Sequence, residues 1–298
     1  MPTTRSRAGQ SRSTRARIAF QGTPGAYSDL ACRHAYPGHE TVPCASFDDA
    51  FAAVRDGKAE LGMIAIENSV AGRVADVHHL MPHSRLHIIA EHFQRVNHHL
   101  LAVKGATLKT VKTVQSHIHA LDQCRNWTRK LGLKRIVGAD TAGSAAEIAA
   151  AGDITRAAIA SSLAGEIYGL QSLKRDIEDE THNTTRFVVV SRKPVDPDPR
   201  RGPTITSFVF RVRSVPAALY KALGGFATNQ VNLTKLESYM VGGTFEAAQF
   251  YVDAEGHPRE RPMQLALEEL KFFSKELRIV GVYHAHPYRR KGTADESD

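Results

Sequence analysis

Short apolar runs alternate with helical patterns over the first two thirds of the chain. The apolar runs predict strands, and the Ala- and Leu-rich stretches between them predict helices. This alternation is typical of an α/β domain. The predicted strands are 17–21, 61–66, 86–91, 111–115, 134–138, 157–160 and 187–191, and the predicted helices include 120–131 and 144–151.

A proline-rich segment, 192–203, interrupts this pattern. Its four prolines and interleaved charges exclude a helix or a central strand, so we predict a linker between a first domain, 17–191, and a second, 204–284. The second domain shows strand 205–212, a helix from Pro216 to about 226, strands 233–240 and 247–253 joined through 241–244, helix 262–275 and strand 277–284. This βαββαβ order is that of a ferredoxin-like domain, a common small ligand-sensing unit.

The composition is that of a soluble globular protein, with 42% hydrophobic and 23% charged residues. No apolar run approaches the roughly 18 residues of a membrane span, so we expect no membrane association. The three cysteines, Cys32, Cys44 and Cys124, are scattered and form no CxxC pair. We therefore expect a reducing, cytoplasmic location and neither a disulfide framework nor a structural zinc.

The formal charge of +8 raises the question of nucleic-acid binding. Much of the excess lies at the two ends of the chain, with five arginines between residues 5 and 17 and three basic residues at 289–291. We predict a disordered basic leader, 1–16, a C-terminal tail, 285–298, and no nucleic-acid partner. A mitochondrial transit peptide is the alternative for the leader, because the first acidic residue is Asp29.

The fifteen histidines include the pairs His78-His79 and His98-His99. No carboxylate or thiolate falls at a zinc-binding spacing, and HExxH is absent, so we predict no metal site. These histidines are expected to be exposed in loops or at strand ends.

Two hydroxyls and a guanidinium stand at the start of the last strand of the first domain, in Thr184, Thr185 and Arg186. An arginine in this place can hold a carboxylate in two-point geometry while the adjacent hydroxyl donates to a neighbouring oxygen. Taken alone, an arginine at a strand start is more often a solvated end residue.

Three other segments place polar groups where predicted strands end. Residues 21–28 form a Gly- and Pro-containing turn whose amides can face an anion, although it matches neither GxGxxG nor a Walker loop. Glu67 follows strand 61–66 directly, at the end where open α/β sheets bind ligands. Residues 140–146 form a third turn of small residues, suited to holding a carboxylate on backbone amides.

Ser116 is a candidate helix N-cap, and Gln123 lies two helical turns further on. Their side chains can therefore share one face of a helix. Capping alone accounts equally well for Ser116, and also for Asn68 and Ser69 after strand 61–66.

Together these segments resemble the prephenate dehydratases that carry a C-terminal ACT regulatory domain. The matching motifs are Phe20-Gln21-Gly22 with Gly25-Ala26-Tyr27-Ser28, Ile66-Glu67-Asn68-Ser69 with Gly72, Ser116-His117 with Gln123-Cys124, Asn183-Thr184-Thr185-Arg186-Phe187, and Asn232-Leu233-Thr234-Lys235-Leu236-Glu237-Ser238. The resemblance spans about residues 17–284. It implies a two-lobed catalytic domain of the type II periplasmic-binding-protein fold, with lobe crossings near 95–105 and 180–187, followed by an ACT domain.

The resemblance also implies the chemistry. These enzymes convert prephenate to phenylpyruvate with loss of CO2 and water, in phenylalanine biosynthesis, and use no cofactor. Thr185 is then the donor to the leaving hydroxyl, and Arg186 either clamps a substrate carboxylate or pairs with Glu67. Implied roles in orienting or binding substrate fall to Asn68, Ser116, Gln123, Ser28, Ser69, Thr141, Ser144, Thr184 and Phe187.

The ACT resemblance implies L-phenylalanine as an allosteric effector and a homodimer or homotetramer. The implied effector-binding residues are Ala217, Ala218, Leu219, Asn232, Leu233, Thr234, Glu237 and Ser238. Two motifs depart from the family pattern. Residues 116–119 lack a usual glutamine, and Tyr239-Met240 replaces a usual Arg-Pro, which removes a guanidinium where the effector site is expected. An arogenate dehydratase and a non-catalytic amino-acid sensor on the same fold remain alternatives.

Overall fold

A computed structural model describes residues 15–213, 215–240 and 248–291 of the chain. Its first lobe contains β1 (Arg17–Gln21), α1 (Tyr27–Ala35), β2 (Glu40–Cys44), α2 (Phe47–Arg55), β3 (Leu61–Asn68), β4 (Gly72–Arg73), α3 (Ala75–Leu80) and β5 (His87–Arg95). Strands β2, β1 and β3 pair in parallel, as the alternation of strands and helices predicts. The first lobe is completed by β11 (Thr184–Ser191), which returns from the second lobe and runs antiparallel between β3 and β5.

The second lobe is a separate five-stranded sheet in the order β10-β6-β9-β7-β8. Its elements are β6 (His99–Ala102), β7 (Thr113–Ser116), α4 (Ile118–Gln123), α5 (Arg125–Lys130), β8 (Lys134–Val137), α6 (Thr141–Ala151), β9 (Arg156–Ala160), α7 (Ser162–Tyr168) and β10 (Gln171–Lys174). The chain crosses between lobes at 96–98 and returns at 175–183. Two α/β lobes joined by two crossings confirm the predicted fold class.

The predicted helix over 120–131 is two shorter helices, α4 and α5, that meet at Cys124. The return crossing causes the break. The backbone N–H of Asp179 donates to the carbonyl of Gln123 (2.6 Å), and the Asp179 carboxylate accepts from the N–H of Asn126 (3.1 Å) at the start of α5. An inserted segment that takes helical hydrogen bonds ends one helix and caps the next.

The second domain has the predicted βαββαβ order. Its elements are β12 (Thr204–Val212), α8 (Ala218–Thr228), β13 (Leu233–Met240), β14 (Ala248–Glu255), α9 (Arg261–Phe273) and β15 (Ser274–His284), with strand order β13-β14-β12-β15. Pro216 does not open the helix. It lies in a turn, and α8 begins after Ala217, whose φ of 58° is left-handed. The predicted hairpin connection 241–244 lies outside the described residues.

The two domains share one sheet. Strand β15 of the second domain pairs in parallel with β5 of the first lobe, so that a ten-stranded sheet runs through both. Ile205 and Val280 belong to the same buried apolar cluster as Ile66 and Val190. The second domain is therefore packed against the first lobe by a common core and is not tethered only by the linker.

The joint between β15 and β5 requires a glycine. A Cβ at Gly281 would lie 2.4 Å from the carbonyl oxygen of Ile88, on the neighbouring strand. We expect Gly281→Ala to lower the free energy of unfolding by about 1–3 kcal/mol, because backbone must move to accept the methyl group. Urea unfolding followed by circular dichroism measures it.

Gly224→Ala is the matched control. A Cβ at Gly224, inside α8, meets no atom within 4 Å. Alanine there is expected to raise stability by about 0.5–1 kcal/mol, through its higher helix propensity. Equal effects of the two substitutions would contradict a close joint at Gly281.

The described part of the predicted C-terminal tail, 285–298, is not free of the first lobe. It forms α10 (Tyr288–Lys291) against the first lobe. Tyr288 stacks on Phe93 with ring centroids 4.7 Å apart, and the Arg289 guanidinium donates to the buried carboxylate of Glu91 at 2.7 and 2.9 Å. A buried acid needs a cationic partner, which explains why this arginine is not in solvent.

Residues 1–14 of the predicted leader and 292–298 of the predicted tail lie outside the described residues. Within the described ranges, no helix is both long and apolar enough to cross a lipid bilayer.

Candidate functional site

A cleft of about 250 Å³ lies between the two lobes, where β1 and β3 end and where α1, α4 and α6 begin. Five of the residues predicted for substrate binding or catalysis line it: Ser28, Asn68, Gln123, Thr141 and Thr185. The position agrees with the rule that open α/β sheets bind ligands at strand carboxyl ends.

Thr185 reaches the cleft through strand pairing. On β11 it stands opposite Asn68 of β3, and the Asn68 side-chain Nδ2 donates to the Thr185 hydroxyl at 2.9 Å. The Asn68 side-chain oxygen Oδ1 accepts from the backbone N–H groups of Val70 (3.0 Å) and Ala71 (2.7 Å). The turn after β3 thus fixes the amide that holds Thr185.

Hydrogen bonds continue from Asn68 into the second lobe. Asn68 Nδ2 also donates to Asn183 Oδ1 (2.7 Å), and Asn183 Nδ2 donates to Gln123 Oε1 (2.9 Å). His98 Nε2 lies 2.8 Å from the same Gln123 oxygen, and His98 Nδ1 lies 2.9 Å from the Tyr27 hydroxyl. Both crossing segments therefore contribute a side chain to one chain of polar groups.

Burial sets the charge states in this chain. It lowers the pKa of His98 and raises the pKa of Tyr27 well above its ordinary value, since both lose contact with water. Near neutral pH both side chains are uncharged.

Arg186 does not reach the cleft. Successive residues of a strand point to opposite faces, so Thr185 faces the lobes and Arg186 faces the second domain. Its guanidinium, 4% exposed, donates to Glu91 (2.8 Å), Glu67 (2.8 Å) and Asp253 (2.6 Å). The expected substrate clamp is absent, and of the two predicted alternatives only the pairing with Glu67 is present.

The group around Arg186 joins the two domains. We call it the interdomain ion cluster: Arg186, Glu67, Glu91, Asp253, Lys235 and Arg289. Burial favours the neutral acids, but the cations outweigh it and hold the pKa values of the Glu67 and Asp253 carboxyls below their ordinary range. Glu67 is thus a structural partner rather than a residue of the cleft.

The remaining predicted site residues also lie elsewhere. Thr184, on the same face as Arg186, accepts a hydrogen bond from Tyr288 (3.2 Å), and Phe187 is in the first-lobe core. Ser69 donates to the carbonyl of His182 at 3.0 Å. These side chains contact the neighbouring chain segments and the core of the protein and do not line the cleft.

Ser116 and Ser144 are buried and are directed away from the cleft. Ser116 donates to the carbonyl of Ile159 (2.6 Å) on a neighbouring strand, and Ser144 donates to the carbonyl of Asp140 (2.7 Å) in its own helix. Neither is among the residues that line the cleft. The N-cap of α4 is His117, whose ring accepts from the N–H of His119 (3.3 Å).

The described residues lining the cleft include no lysine or arginine. The side chains there that can become cationic are His98, His117 and His119, and burial lowers the pKa of His117. Asp140 bridges the lobes by accepting from the Thr23 hydroxyl at 3.0 Å. An anion in this cleft would meet neutral donors, helix N-termini and the Asp140 carboxylate, with no fixed cation among the described lining residues.

The predicted effector-binding residues fall into two places. Ala217, Ala218 and Leu219 follow the end of β12, while Asn232 and Leu233 lie beside the residues that pair with its start. Nine residues of strand separate these ends, about 30 Å. One copy of the chain does not bring the two groups together.

Others of that set contact neighbouring elements. Glu237 and the Ser238 carbonyl receive hydrogen bonds from Arg73 of the first lobe, at 3.3 and 3.0 Å. Thr234 accepts from Arg289 at 3.1 Å. Tyr239, which replaces the usual arginine, packs its ring against His79.

The prediction of exposed histidines is wrong for four of the described ones: His78, His98, His99 and His257 are buried. His98 belongs to the polar chain behind Thr185 and was missed as a site residue, together with Asn183 and Tyr27. The signal for Asn183 was its place directly before the Thr184-Thr185 motif. No group of three possible metal ligands occurs within the described ranges.

A larger cavity, about 630 Å³, lies on the other side of Tyr27. The side chains of Leu30, Leu101 and Leu170 form an apolar wall, and the charged residues include Arg95 and Arg175. Although it is larger, it contains none of the five predicted residues that meet in the interlobe cleft.

The structure defines a class of protein: two α/β lobes enclose a cleft whose described lining has no lysine or arginine, and a βαββαβ domain is joined to the first lobe through a shared sheet. Comparison with known proteins then gives the family: the prephenate dehydratase family model matches residues 18–195. This chain belongs to the prephenate dehydratase family.

Relatives cover most of the chain. The bifunctional N-acyl-homoserine lactone acylase/prephenate dehydratase of Komagataeibacter europaeus is 53% identical over 92% of this chain and 98% of its own. The chloroplastic arogenate dehydratase/prephenate dehydratase 1 of Arabidopsis thaliana is 40% identical over 91% of this chain and 72% of its own. The crystal structure of prephenate dehydratase in complex with L-Phe from Arthrobacter aurescens has a TM-score of 0.83 and 29% identity, over 94% of this chain and 97% of that one.

Proposed function

We propose that this protein converts prephenate to phenylpyruvate. The observation that carries the proposal is the Thr185 hydroxyl, held at the cleft by the side-chain amide of Asn68 at 2.9 Å. In the reaction the ring carboxylate leaves as CO2, its bonding electrons enter the ring, and the ring hydroxyl departs with one added proton as water. The driving force is aromatisation, so the protein has to orient the substrate and assist the departing oxygen.

Substrate anions are bound in this proposal by neutral groups. Helices α1 and α6 begin at the cleft, with Ser28 and Thr141 in their first turns. Unpaired N–H groups and the positive end of the helix dipole favour a carboxylate at the start of α1, which has no side-chain cap, whereas Asp140 already caps α6 through the Gly143 N–H at 2.6 Å. Thr185 hydrogen-bonds the leaving hydroxyl; a threonine hydroxyl is a weak acid, so we picture donation or relay rather than full proton release.

The test is incubation of the purified full chain with prephenate, followed by the absorbance of phenylpyruvate in alkali. Arogenate is assayed in parallel through the appearance of phenylalanine, because the Arabidopsis relative carries both activities in its name. Formation of phenylpyruvate well above the spontaneous rate is expected. Turnover of arogenate alone would identify arogenate, not prephenate, as the substrate. Turnover of neither compound would contradict the proposal.

We also infer that the second domain is an ACT domain that binds L-phenylalanine, since the Arthrobacter structure is a complex with L-Phe. The two groups of predicted effector residues are at opposite ends of β12, so a complete site would need a second copy of the chain. Equilibrium dialysis with the intact protein, together with its mass in solution, tests this inference. Saturable binding by an oligomer is expected, and absence of binding would contradict it.

A second candidate activity is hydrolysis of an N-acyl-homoserine lactone amide, favoured by the name of the 53% identical relative. The larger cavity offers a place for it: His99 Nδ1 lies 3.2 Å from the Ser172 hydroxyl, near the leucine wall. Water would be consumed, and a fatty acid and homoserine lactone released. Ser172→Ala and Thr185→Ala distinguish the sites, because loss of amide hydrolysis in only one of them identifies the cavity used.

A further inference from the structure

We propose that Asn183, His98 and Tyr27 are positioning residues that fix which atoms of Thr185 and Gln123 face the substrate. The inference rests on the proposed dehydratase function. Each hydrogen bond in the polar chain needs one donor and one acceptor. The orientation of one member of the chain is fixed by backbone N–H groups, and the others follow from it.

That group is Asn68. Backbone N–H groups can only donate, so the side-chain atom of Asn68 that meets Val70 and Ala71 must be its carbonyl oxygen. Its NH2 group then points to Thr185 and Asn183. The Thr185 oxygen is therefore an acceptor toward Asn68, and its own proton has no acceptor among the described residues, which leaves it for the cleft.

Asn183 passes the orientation on. The atom that meets Asn68 Nδ2 must be an acceptor, so it is the Asn183 oxygen, and the Asn183 NH2 group points to Gln123. Asn183 is 1% exposed, so water cannot readily replace either contact. The Gln123 atom facing Asn183 is in turn its carbonyl oxygen.

His98 completes the arrangement at Gln123. Because Gln123 Oε1 is an acceptor, His98 must carry a proton on Nε2, 2.8 Å away. In the neutral ring Nδ1 is then an acceptor, and the Tyr27 hydroxyl lies within reach of it (2.9 Å) and of the Asn97 carbonyl (2.7 Å). Gln123 therefore sets the tautomer of His98, and Tyr27, whose single proton lies between His98 Nδ1 and the Asn97 carbonyl, holds the other ring nitrogen in place.

The result is a pair of donors, on Thr185 and Gln123, that face the cleft. The NH2 group of Gln123 has no partner among the described residues, and Gln123 lines the cleft together with Thr185. A substrate presenting hydroxyl and carboxylate oxygens meets two donors. If the amide of Gln123 turned over, an acceptor oxygen would face those oxygens instead.

The test is a double-mutant cycle. Asn183→Asp still accepts from Asn68 but cannot donate to Gln123, so the Gln123 amide is expected to turn its NH2 group toward the new carboxylate. We expect kcat/KM for prephenate to fall about 10–100-fold. This is the range for losing a hydrogen bond to a charged group, or to a group that becomes charged in the reaction. In a Gln123→Ala background, Asn183→Asp should have little further effect, since it acts through Gln123. Equal losses in both backgrounds would overturn the positioning role.

Tyr27→Phe is the milder variant and keeps the ring. It is expected to give a smaller loss in kcat/KM that also disappears in the Gln123→Ala background. Melting temperatures of all variants identify any that merely fail to fold.

A second measurement does not depend on turnover. Nitrogen-15 NMR of the wild-type protein at pH 8 reports which ring nitrogen of His98 carries the proton. The Nε2–H form is expected, and Tyr27→Phe should change the population of tautomers. An Nδ1–H form in the wild type would overturn the inference whether or not prephenate is the substrate.

Discussion

Replacement of Thr185 by alanine is expected to lower kcat for prephenate by about 10²–10⁴-fold in a protein that remains folded. The hydroxyl accepts from Asn68 and keeps its own proton for the cleft, and Thr185 is only partly buried, so its truncation leaves no large void. Thr185→Ser restores a hydroxyl at the same atom position and should recover most of the activity. Steady-state kinetics and circular dichroism are measured on both variants.

Thr184 supplies the matched control. It is the same residue type, one position earlier on the same strand, but its hydroxyl bonds Tyr288 on the opposite face. Thr184→Ala is expected to retain most of the turnover. Unchanged kcat in folded Thr185→Ala would remove this hydroxyl from the reaction, and equal losses at both positions would mean that the strand, not the hydroxyl, is being tested.

Replacement of Arg186 by methionine is expected to destabilise the protein by about 3–5 kcal/mol. The guanidinium is the centre of the interdomain ion cluster, and its loss leaves the buried Asp253 carboxylate without its principal cation and leaves Glu91 with Arg289 alone. Asp253 keeps hydrogen bonds from Ser207 and Tyr251, but these are neutral groups. Equilibrium unfolding in urea measures the change.

The matched control is Arg211→Met. Arg211 pairs with Glu276 at 3.9 Å, and both side chains are substantially exposed. Such a pair contributes at most about 1 kcal/mol, so this variant should unfold close to the wild type. Similar losses at both positions would show that the Arg186 cluster has no special stabilising role.

The stabilising role of the interdomain ion cluster also predicts the direction in which stability changes with pH. The pKa values of Glu67 and Asp253 are depressed in the folded state. Their contribution to the free energy of unfolding is therefore complete above their unfolded-state pKa values, near 4, and is lost as pH falls through their folded-state pKa values. Wild-type stability should therefore decrease below about pH 4. Without Arg186, burial would raise the pKa of Asp253, and the variant should gain stability relative to the wild type as pH falls from 7 to 5.

The order of strands and helices could be predicted because it depends on local patterns of apolar and polar residues. Apolar runs marked β1, β3, β9 and β12 within a residue or two at most ends. Strand β2 was missed because none of its residues is fully buried and its Pro43 argues against a strand. Short β6 and β10 were missed because four residues carry too little periodicity.

The site could be predicted only in part, because a motif does not say which face of a strand meets the cleft. Thr185 and Arg186 are neighbours in sequence, and the pleat sends them to different domains. The sequence around Arg186 does not indicate its contact with Asp253, which is 67 residues away. His98 escaped prediction for a related reason: its role depends on Gln123 and Tyr27, which the fold brings from two other elements.

The pairing of β15 with β5 has a consequence for any attempt to divide the protein. A chain cut within 192–203 would leave β5 in one fragment and β15 in the other, each with a free edge of unpaired backbone groups. Such edges recruit other strands, so the fragments would be prone to aggregate. Insolubility of either fragment would then reflect the cut itself and would carry no information about what that part does in the whole chain.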